Sequence, residues 1–403
     1  MGPNKIVGAI EIGTAKVVVL VGEILPGQTL NIIGFGQSTS QGVKKGEIVD
    51  LSTASACTHA AITAAEANAR TSMDIALLAQ TGSHLQGFGN AGSVSVVDSD
   101  NIVSQTDIDR AIAEAKGKRL HPDRVYVHHI RNGFFLDQRA VESPLGMRGE
   151  RLSVNYWHVY GDERNIGDAL HIVNGFGGLN VEDVIASGVA SGCMAAGEEE
   201  QANGAVIIDI GCGTTDYSVY CDGHIVSTGV IPVGGDHLTN DLALGLRTHR
   251  KHAETLKLKY GKALFDRSEK SEKIWLIGDR SIGDRMIPRK AIAQILNARL
   301  EELFQILGGQ IAQCCDVKSL AAGAILTGGS SRLPGIEDLA TRVLDIPTRV
   351  GHNPAWVRPD LRGPEFTTTL GLLYYALKNA EAAPSEDPSK GFFKRVLDAL
   401  SFR

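Results

Sequence analysis

The sequence lacks the features that mark several large classes of protein. Its six cysteines are scattered, with neither the CxxC pairs of a zinc site nor the density of a disulfide-stapled secreted domain, so a reducing cytoplasm is expected. No run reaches the ~18 apolar residues that cross a bilayer. Residues Met1 to Lys5 lead straight into a strand-like segment, so no signal peptide is expected. The net charge of −6 provides no positive field, and nucleic acid is therefore not expected as a partner.

Two features that the chain does have are a length of several hundred residues and a high content of glycine. Its 403 residues exceed what one hydrophobic core usually serves, so two or more lobes are expected. The 46 glycines, about 11% of the chain against an average of ~7%, cluster at the ends of apolar runs. Glycine in such places lets backbone N–H groups wrap phosphate oxygens, so this placement indicates phosphate-binding turns.

One hairpin pattern occurs twice, about half the chain length apart. The first copy has apolar runs at 6–10 and 17–21 around a polar, glycine-containing turn, and the second has runs at 205–208 and 217–220. Glu11 and Asp209 occupy the same place in the two copies. Internal duplication on this scale predicts two similar lobes that face each other.

Two further glycine pairs, Gly234-Gly235 and Gly328-Gly329, also follow predicted strands. Threonine hydroxyls in such turns add hydrogen-bond donors, and a carboxylate at the end of the strand can hold a hydrated metal ion. One turn of this kind is often a simple hairpin turn. Two facing copies together with two more glycine turns predict that the chain binds a nucleotide with Mg²⁺.

These motifs resemble the phosphate-1, phosphate-2 and adenosine motifs of the actin, Hsp70 and hexokinase superfamily, and the whole chain is most similar to the FtsA family of actin-like bacterial cell-division proteins. The resemblance implies an α/β fold, with two actin-like lobes built from duplicated ribonuclease-H-like domains and an inserted α+β subdomain. It implies ATP and Mg²⁺ as cofactors, with Glu11 and Asp209 holding the metal through water. The residues it implies for nucleotide binding are Glu11, Gly13, Thr14, Ala15, Lys16, Asp209, Gly211, Cys212, Gly213, Thr214, Thr215, Gly234, Gly235, Asp236, Glu254, Lys257, Gly328, Gly329 and Ser330.

Two positions depart from the superfamily pattern. Glu11 stands where most members have Asp, and Cys212 stands where glycine is usual; Cys212 fits without strain if its φ is ordinary. Hydrolysis also needs a group that orients or deprotonates the attacking water. Residues 185–193, which resemble the connect-1 helix, contain no Asp, Glu, Gln or His. We therefore expect at most a slow ATPase, in which the nucleotide mainly ties the lobes together. The resemblance also places Gly371 in the connect-2 helix, which packs against the connect-1 helix at the hinge.

The resemblance also divides the chain. The implied parts are a first lobe at 1–83, 164–195 and 361–380, an inserted subdomain at 84–163, a second lobe at 196–236 and 315–360 with an upper subdomain at 237–314, a linker at 381–390 and a terminal helix at 391–403.

The inserted subdomain has its own pattern of elements. Strands are predicted near 93–97, 124–130 and 152–160, and a helix is predicted to start at Thr106, where Asp109 completes a capping-box spacing. His128 and His129 lie on an apolar strand without an identifiable third ligand, so we expect a structural role and not a metal site.

The last residues of the sequence have an amphipathic pattern. At about 100° per residue, apolar side chains fall on one face of a helix and basic side chains on the other. A basic, aromatic helix after a flexible linker is typical of peripheral attachment to an anionic membrane surface. The residues predicted to contact the membrane are Phe392, Phe393, Lys394, Arg395, Val396, Leu397 and Leu400. Docking of this helix on its own protein is the alternative.

The family resemblance implies a protein that polymerises, anchors filaments of the tubulin-like protein FtsZ to the cytoplasmic face of the membrane at the division site, and recruits later division proteins. Arg299, on a helix predicted from Pro288 to about Cys314, aligns with the helix that takes the FtsZ C-terminal tail. Two alternatives lie in the same superfamily. A small-molecule kinase would need a catalytic Asp over a substrate pocket, and a pilus-assembly scaffold would lack a lipid-binding helix, so the amphipathic tail discriminates.

Overall fold

The computed structural model describes residues 5–25, 29–264, 272–277 and 283–381. The predicted terminal helix at 391–403, and all of the predicted linker except residue 381, lie outside these residues.

The described residues form eighteen strands and ten α-helices. The strands are β1 (Lys5–Ile12), β2 (Lys16–Leu25), β3 (Thr29–Thr39), β4 (Val43–Lys44), β5 (Glu47–Ile48), β6 (Ile75–Gln80), β7 (Gln86–Ser95), β8 (Arg124–Leu136), β9 (Arg139–Val141), β10 (Arg151–Asp162), β11 (Asn180–Ala186), β12 (Ala205–Ile210), β13 (Thr215–Cys221), β14 (His224–Ile231), β15 (Lys273–Leu276), β16 (Arg285–Pro288), β17 (Gly323–Thr327) and β18 (Thr348–Val350). The helices are α1 (Leu51–Ala69), α2 (Gln105–Lys116), α3 (Glu163–Asn174), α4 (Ser187–Ala195), α5 (Glu198–Ala202), α6 (Gly235–Gly245), α7 (Arg250–Tyr260), α8 (Arg289–Ile311), α9 (Ile336–Leu344) and α10 (Thr367–Glu381).

Two five-stranded mixed sheets have the same topology. Their strand orders are β11-β6-β1-β2-β3 and β14-β13-β12-β17-β18. In each, the central strand is antiparallel to the next strand of its hairpin and parallel to a strand reached by a crossover. We call the elements packed on these sheets the first and second lobes. The predicted duplication and α/β fold are confirmed.

The hairpin strands are continuous apolar runs because helices cover the sheets. Residues 17–21 of β2 are fully buried, with α1 against β2 and β3 and α10 against β1 and β2. The polar turns end the runs in the same way in both lobes. The Gly13 N–H donates to the Lys16 carbonyl at 3.0 Å, and the Gly211 N–H donates to the Thr214 carbonyl at 2.9 Å. The duplication therefore extends to turn geometry.

Helices α4 and α10 pack against each other between the two sheets. Gly371 of α10 allows this close approach, since a Cβ at that position would overlap the Ala190 carbonyl group of α4. In the same way, a Cβ on Gly188 would lie 2.9 Å from the Tyr217 carbonyl oxygen of the second sheet. The small residues predicted at the hinge therefore let backbones approach one another.

The inserted subdomain is an antiparallel sheet, ordered β7-β10-β8-β9, with α2 against β7 and β10. Its helix begins one residue earlier than predicted and its capping box lies two residues earlier, at Ser104 and Asp107 and not at Thr106 and Asp109. The Asp107 carboxylate accepts from the Ser104 N–H at 3.1 Å and is almost fully buried, which favours the earlier register.

Two further elements have bounds that differ from the predicted ones. Strand β7 covers 86–95 and not 93–97, and α8 ends at Ile311, three residues before Cys314, with Pro288 preceding its first residue. In the part of the chain that the structure describes, the helices are too short or too polar to cross a bilayer.

Candidate nucleotide site between the two lobes

A cavity of about 640 Å³ lies between the two lobes, a size that is usual for small-molecule sites. It is lined by sixteen of the nineteen residues predicted for nucleotide binding: Glu11, Gly13, Thr14, Ala15, Lys16, Asp209, Gly211, Cys212, Gly213, Thr214, Gly235, Glu254, Lys257, Gly328, Gly329 and Ser330. The other three lie behind its wall. The Thr215 hydroxyl donates to the Val233 carbonyl at 2.8 Å, Asp236 forms an ion pair with Arg250, and Gly234 packs on the Cys212 carbonyl.

The two hairpin turns contact each other at the base of the cavity. A Cβ on Gly213 would overlap the Thr14 hydroxyl, so glycine is needed for the approach. The Thr14 hydroxyl accepts from the Gly46 N–H at 3.1 Å, which fixes its position. The turns of both lobes therefore line one space.

Carboxylates from both lobes are buried at this end of the cavity. Burial raises the pKa of Glu11, and burial together with the negative charge of Glu11 raises the pKa of Asp209 to about 7. The Glu11 carboxylate accepts from the Thr369 hydroxyl at 2.9 Å, and that of Asp209 accepts from the Thr368 hydroxyl at 2.6 Å. Burial and like charge disfavour ionisation, so a cation here would be stabilising.

A third acidic residue, Asp216, faces Asp209 across the second hairpin. Burial and the charge of Asp209 raise its pKa to about 8, and both of its oxygens lie 2.8 Å from the Thr81 hydroxyl. The structure thus adds an acid that is not among the residues predicted for the site.

Positive charge lies on the opposite side of the same end. The Lys16 ammonium donates to the Glu365 carbonyl at 3.2 Å and lies 4.3 Å from the centroid of the Phe366 ring. Burial lowers the pKa of Lys16, against the effect of Glu11. Arg332 pairs with the Glu365 carboxylate at 2.6 Å. Phosphate oxygens would therefore meet donors from Lys16, Arg332 and the turns.

The predicted adenosine turn and α7 build a further part of the cavity wall. Gly328 has a φ of +82°, and a Cβ there would overlap the Asp209 carboxylate, so only glycine suits the position. The Ser330 hydroxyl donates to the Gly211 carbonyl at 3.0 Å. Lys257 pairs with Glu254 at 2.8 Å, and Leu258, Leu333 and Pro334 add apolar surface. A cavity lined by both charged and apolar side chains suits a nucleotide.

The donor set fits a hydrated Mg²⁺ ion. The candidate ligands are hard carboxylate oxygens, and Mg²⁺ usually takes one or two of these while keeping several waters and binding substrate phosphates. Within residues 5–25, 29–264, 272–277 and 283–381, no group of three or more His, Cys, Asp or Glu side chains is arranged to hold a metal directly. The carboxylate oxygens of Glu11 and Asp209 match the one or two protein ligands that a hydrated Mg²⁺ ion usually takes.

The two departures from the superfamily pattern cause no backbone strain. Cys212 is not among the non-glycine residues with a positive φ, and burial raises the pKa of its thiol. Where α4 meets the cavity it presents Ser187, whose hydroxyl donates to the Gln80 carbonyl at 3.2 Å. A hydroxyl held in this way is a poor general base.

The remaining predicted residues lie elsewhere. The His128 Nε2 atom accepts from the Ala186 N–H at 3.0 Å, and the Nδ1 atoms of His129 and His158 are 2.7 Å apart, which is a structural role for the pair. Arg299 is not a free cation. Its side chain is 29% exposed and pairs with Asp241 at 2.6 Å and Glu302 at 2.5 Å.

The fold and the cavity together define the structural class of the protein. The chain is similar in structure to the PilM–PilN type IV pilus biogenesis complex (TM-score 0.64, 16% identity, covering 92% of this chain and 98% of that one). It is also similar to MreB5 of Spiroplasma citri bound to ADP (0.55, 15%, 94% and 99%) and to the MamK double helical filament (0.52, 12%, 93% and 99%). The molecule is an actin-like α/β protein with an inserted subdomain.

Sequence comparison identifies the family. Residues 206–371 match the family described as "Cell division protein FtsA", and residues 82–160 match "SHS2 domain inserted in FTSA". The FtsA protein of Neisseria meningitidis serogroup B is 33% identical over 381 residues, covering 93% of this chain and 91% of the relative. The FtsA protein of Escherichia coli K12 is 33% identical over 385 residues, covering 92% and 90%. The chain belongs to the FtsA family of cell division proteins.

Proposed function

We propose that this cell division protein binds ATP with Mg²⁺ in the interlobe cavity and that the bound nucleotide holds the two lobes together. The observation that carries the proposal is the pair of equivalent turns, each with a buried carboxylate, meeting at the base of one cavity. Glu11 and Asp209 would hold the hydrated metal, which neutralises phosphate charge when bound. Lys16 and the turn N–H groups would bind phosphate oxygens, and Glu254 and Lys257 would contact the nucleoside.

Turnover should be slow. A water-activating group would be expected on α4, and the residue there is Ser187, already bound to a carbonyl. Asp209 and Asp216 have pKa values suited to proton transfer, yet Asp209 is assigned to the metal and the oxygens of Asp216 lie against the Thr81 hydroxyl. We therefore expect a turnover far below the ~1–100 s⁻¹ of kinases.

Asp209→Asn tests nucleotide binding because it removes the charge and keeps the shape. We expect at least a tenfold loss of Mg²⁺-dependent ATP affinity, measured by calorimetry with and without the metal. Asp236→Asn is the matched control, since Asp236 follows a glycine turn of the same lobe but lies behind the cavity wall. Equal losses in both variants, or none in Asp209→Asn, would contradict the assignment.

We further propose that the protein polymerises and anchors FtsZ filaments to the cytoplasmic face of the membrane at the division site, with 84–163 as the inserted subdomain that takes later division proteins and 391–403 as the membrane helix. Family membership supports the division role, and the amphipathic tail supports attachment. Buried apolar side chains contribute roughly 1.5–3 kcal/mol each and basic residues near anionic lipid about 1 kcal/mol each. Ordering a short helix consumes much of this gain, so firm attachment needs several copies on a filament.

Vesicle sedimentation tests the membrane helix. Replacing Phe393 and Leu397 with Glu should release the protein from vesicles containing anionic lipid while leaving ATP affinity unchanged. A tail with residues 391–403 shuffled, so that composition is kept and the apolar face is broken, is the matched control and should also be released. Retention of the Glu variant on vesicles would exclude attachment through this face.

The proposed FtsZ-tail site on α8 needs two variants, because Arg299 is already paired. Arg299→Gln should weaken binding of the acidic tail peptide if the guanidinium takes it. Asp241→Asn removes the competing partner and should strengthen that binding. Weakening in both variants would instead show that the ion pair only stabilises the packing of α6 on α8.

A further inference from the structure

Two neighbouring threonines on one helix bind the key carboxylates of both lobes. Thr369 donates to Glu11, at the end of the central strand of the first sheet, and Thr368 donates to Asp209, at the equivalent place in the second sheet. Both threonines are fully or almost fully buried in the first turn of α10. The two lobes therefore share one anchoring element at the cavity.

The preceding residue shows that this arrangement is not a general property of the turn. Thr367 is equally buried, but its hydroxyl lies 3.2 Å from the Asn353 side-chain oxygen and not from a carboxylate of the cavity. The first turn of a helix also carries unpaired N–H groups and the positive end of the helix dipole, which favour carboxylates nearby. The position of the two threonines at the start of the helix and their hydroxyl groups thus both stabilise the nearby carboxylates.

We propose that Thr368 and Thr369 are positioning residues for nucleotide binding: they orient Asp209 and Glu11 toward one metal–phosphate group and make α10 the element that responds to its presence. The inference rests on the proposed function. Groups that hydrogen-bond a metal-binding carboxylate fix its direction, and their loss typically weakens metal binding 10–100-fold. Because the hydroxyls are adjacent, movement of one lobe relative to the other must displace at least one of the two bonds.

A displacement of α10 would be transmitted to α4 because the two helices are in contact. Gly371, two residues after Thr369, lies against the Ala190 backbone of α4, and the first residue of α4 lines the cavity. A shift in the first turn of α10 therefore has to move α4 as well. Residue 381, the last residue of α10, is also the first residue of the predicted linker, which the predicted membrane helix follows.

Valine substitutions test the role of the hydroxyls because they keep the side-chain shape. In the full-length chain, Thr368→Val and Thr369→Val should each weaken Mg²⁺-dependent ATP affinity 10–100-fold, measured by calorimetry with and without Mg²⁺. Thr368→Ser and Thr369→Ser should restore most of the affinity. Thr367→Val is the matched control and should retain wild-type affinity, although its unfolding temperature falls.

Hydrogen exchange provides a second measurement that packing alone would not change. Addition of Mg²⁺-ATP should slow exchange of the amides at the start of α10 in the wild type and in Thr367→Val, and should slow it much less in a variant with both valines. A Glu11→Gln background gives a further check if the double variant does not fold. There, Thr369→Val should cost little additional affinity, because the carboxylate that it orients is already gone.

The outcomes separate the two proposals. If the wild type does not bind ATP, the proposed function and this inference both fail. If the wild type binds and all three valine variants bind equally well, nucleotide binding stands and the positioning role is wrong. The positioning role is likewise wrong if Thr367→Val loses as much affinity as its neighbours, since the effect would then come from helix packing.

Discussion

His128 connects the inserted subdomain to the start of α4 through one hydrogen bond, and its pKa makes that bond testable. Burial lowers the pKa of His128 from 6.5 to about 4. Only the neutral imidazole can accept the Ala186 N–H. The unfolded chain therefore binds more protons than the folded chain between these values. The contribution of His128 to stability is complete above pH 6.5 and is lost as the pH falls toward 4.

His128→Gln should remove this dependence, since an amide oxygen can accept the same N–H and does not titrate. We expect the difference in free energy of unfolding between wild type and variant to shift by about 2–3 kcal/mol between pH 7.5 and 4.5, measured by urea denaturation. Other groups titrate equally in both proteins and cancel. The same difference at both pH values would show that the imidazole is not a neutral acceptor.

At this scale the sequence predicts those site residues that carry a local signature. Glu11 and Asp209 each end an apolar strand before a glycine turn, whereas Asp216 was not predicted for the site. Thr368 and Thr369 have no such pattern, because their partners are far away in the sequence and only the packing of α10 brings them together. For Arg299, the pattern of its own helix predicts an exposed cation. The sequence does not show that Asp241, on a different helix, pairs with it.

Among the elements, the hinge helices give a prediction about packing. Gly371→Ala would place a methyl group into the Ala190 backbone, which cannot yield as a flexible side chain can. We expect a loss of about 3 kcal/mol or more in free energy of unfolding, or separation of α4 from α10. Chemical denaturation measures the loss.

Gly309→Ala in α8 is the control, because a Cβ there has no neighbour within 4 Å. Alanine in a helix interior is favoured over glycine by roughly 0.5–1 kcal/mol, so this variant should be slightly stabilised. Equal stability changes in the two variants would mean that the helices do not require a glycine at their contact.

Glycine also explains which elements the sequence locates poorly. Gly87, Gly89 and Gly92 weaken the strand pattern at the start of β7, so only its end was predicted. Gly87 lies against the Trp157 ring and Gly92 against the α2 backbone, so a side chain at either position would collide. Here tertiary packing selects residues of low strand propensity. The central strand β12 contains no glycine, and its apolar run at 205–208 was predicted.

For the molecule as a whole, the inserted subdomain contacts both lobes. His128 binds the backbone at the junction of β11 and α4, whereas Asn132 donates to the Ile225 carbonyl at 2.8 Å and the Trp157 indole donates to the Thr228 hydroxyl at 3.0 Å. Ile225 and Thr228 belong to β14, the edge strand of the second sheet. The insertion therefore spans the joint between the lobes, and their relative movement must change these contacts.

A double-mutant cycle on Trp157 and Thr228 measures this connection. Thr228→Val leaves the indole N–H without its partner, which should cost about 1–3 kcal/mol of unfolding free energy, and Trp157→Phe removes the donor. If the bond joins the insertion to the second lobe, the combined variant should lose less than the two single variants together, with a coupling of about 0.5–1.5 kcal/mol. Thr63→Val is the control, because its hydroxyl bonds only within α1. Strict additivity in urea denaturation would show that the insertion and the second lobe are energetically independent at this contact.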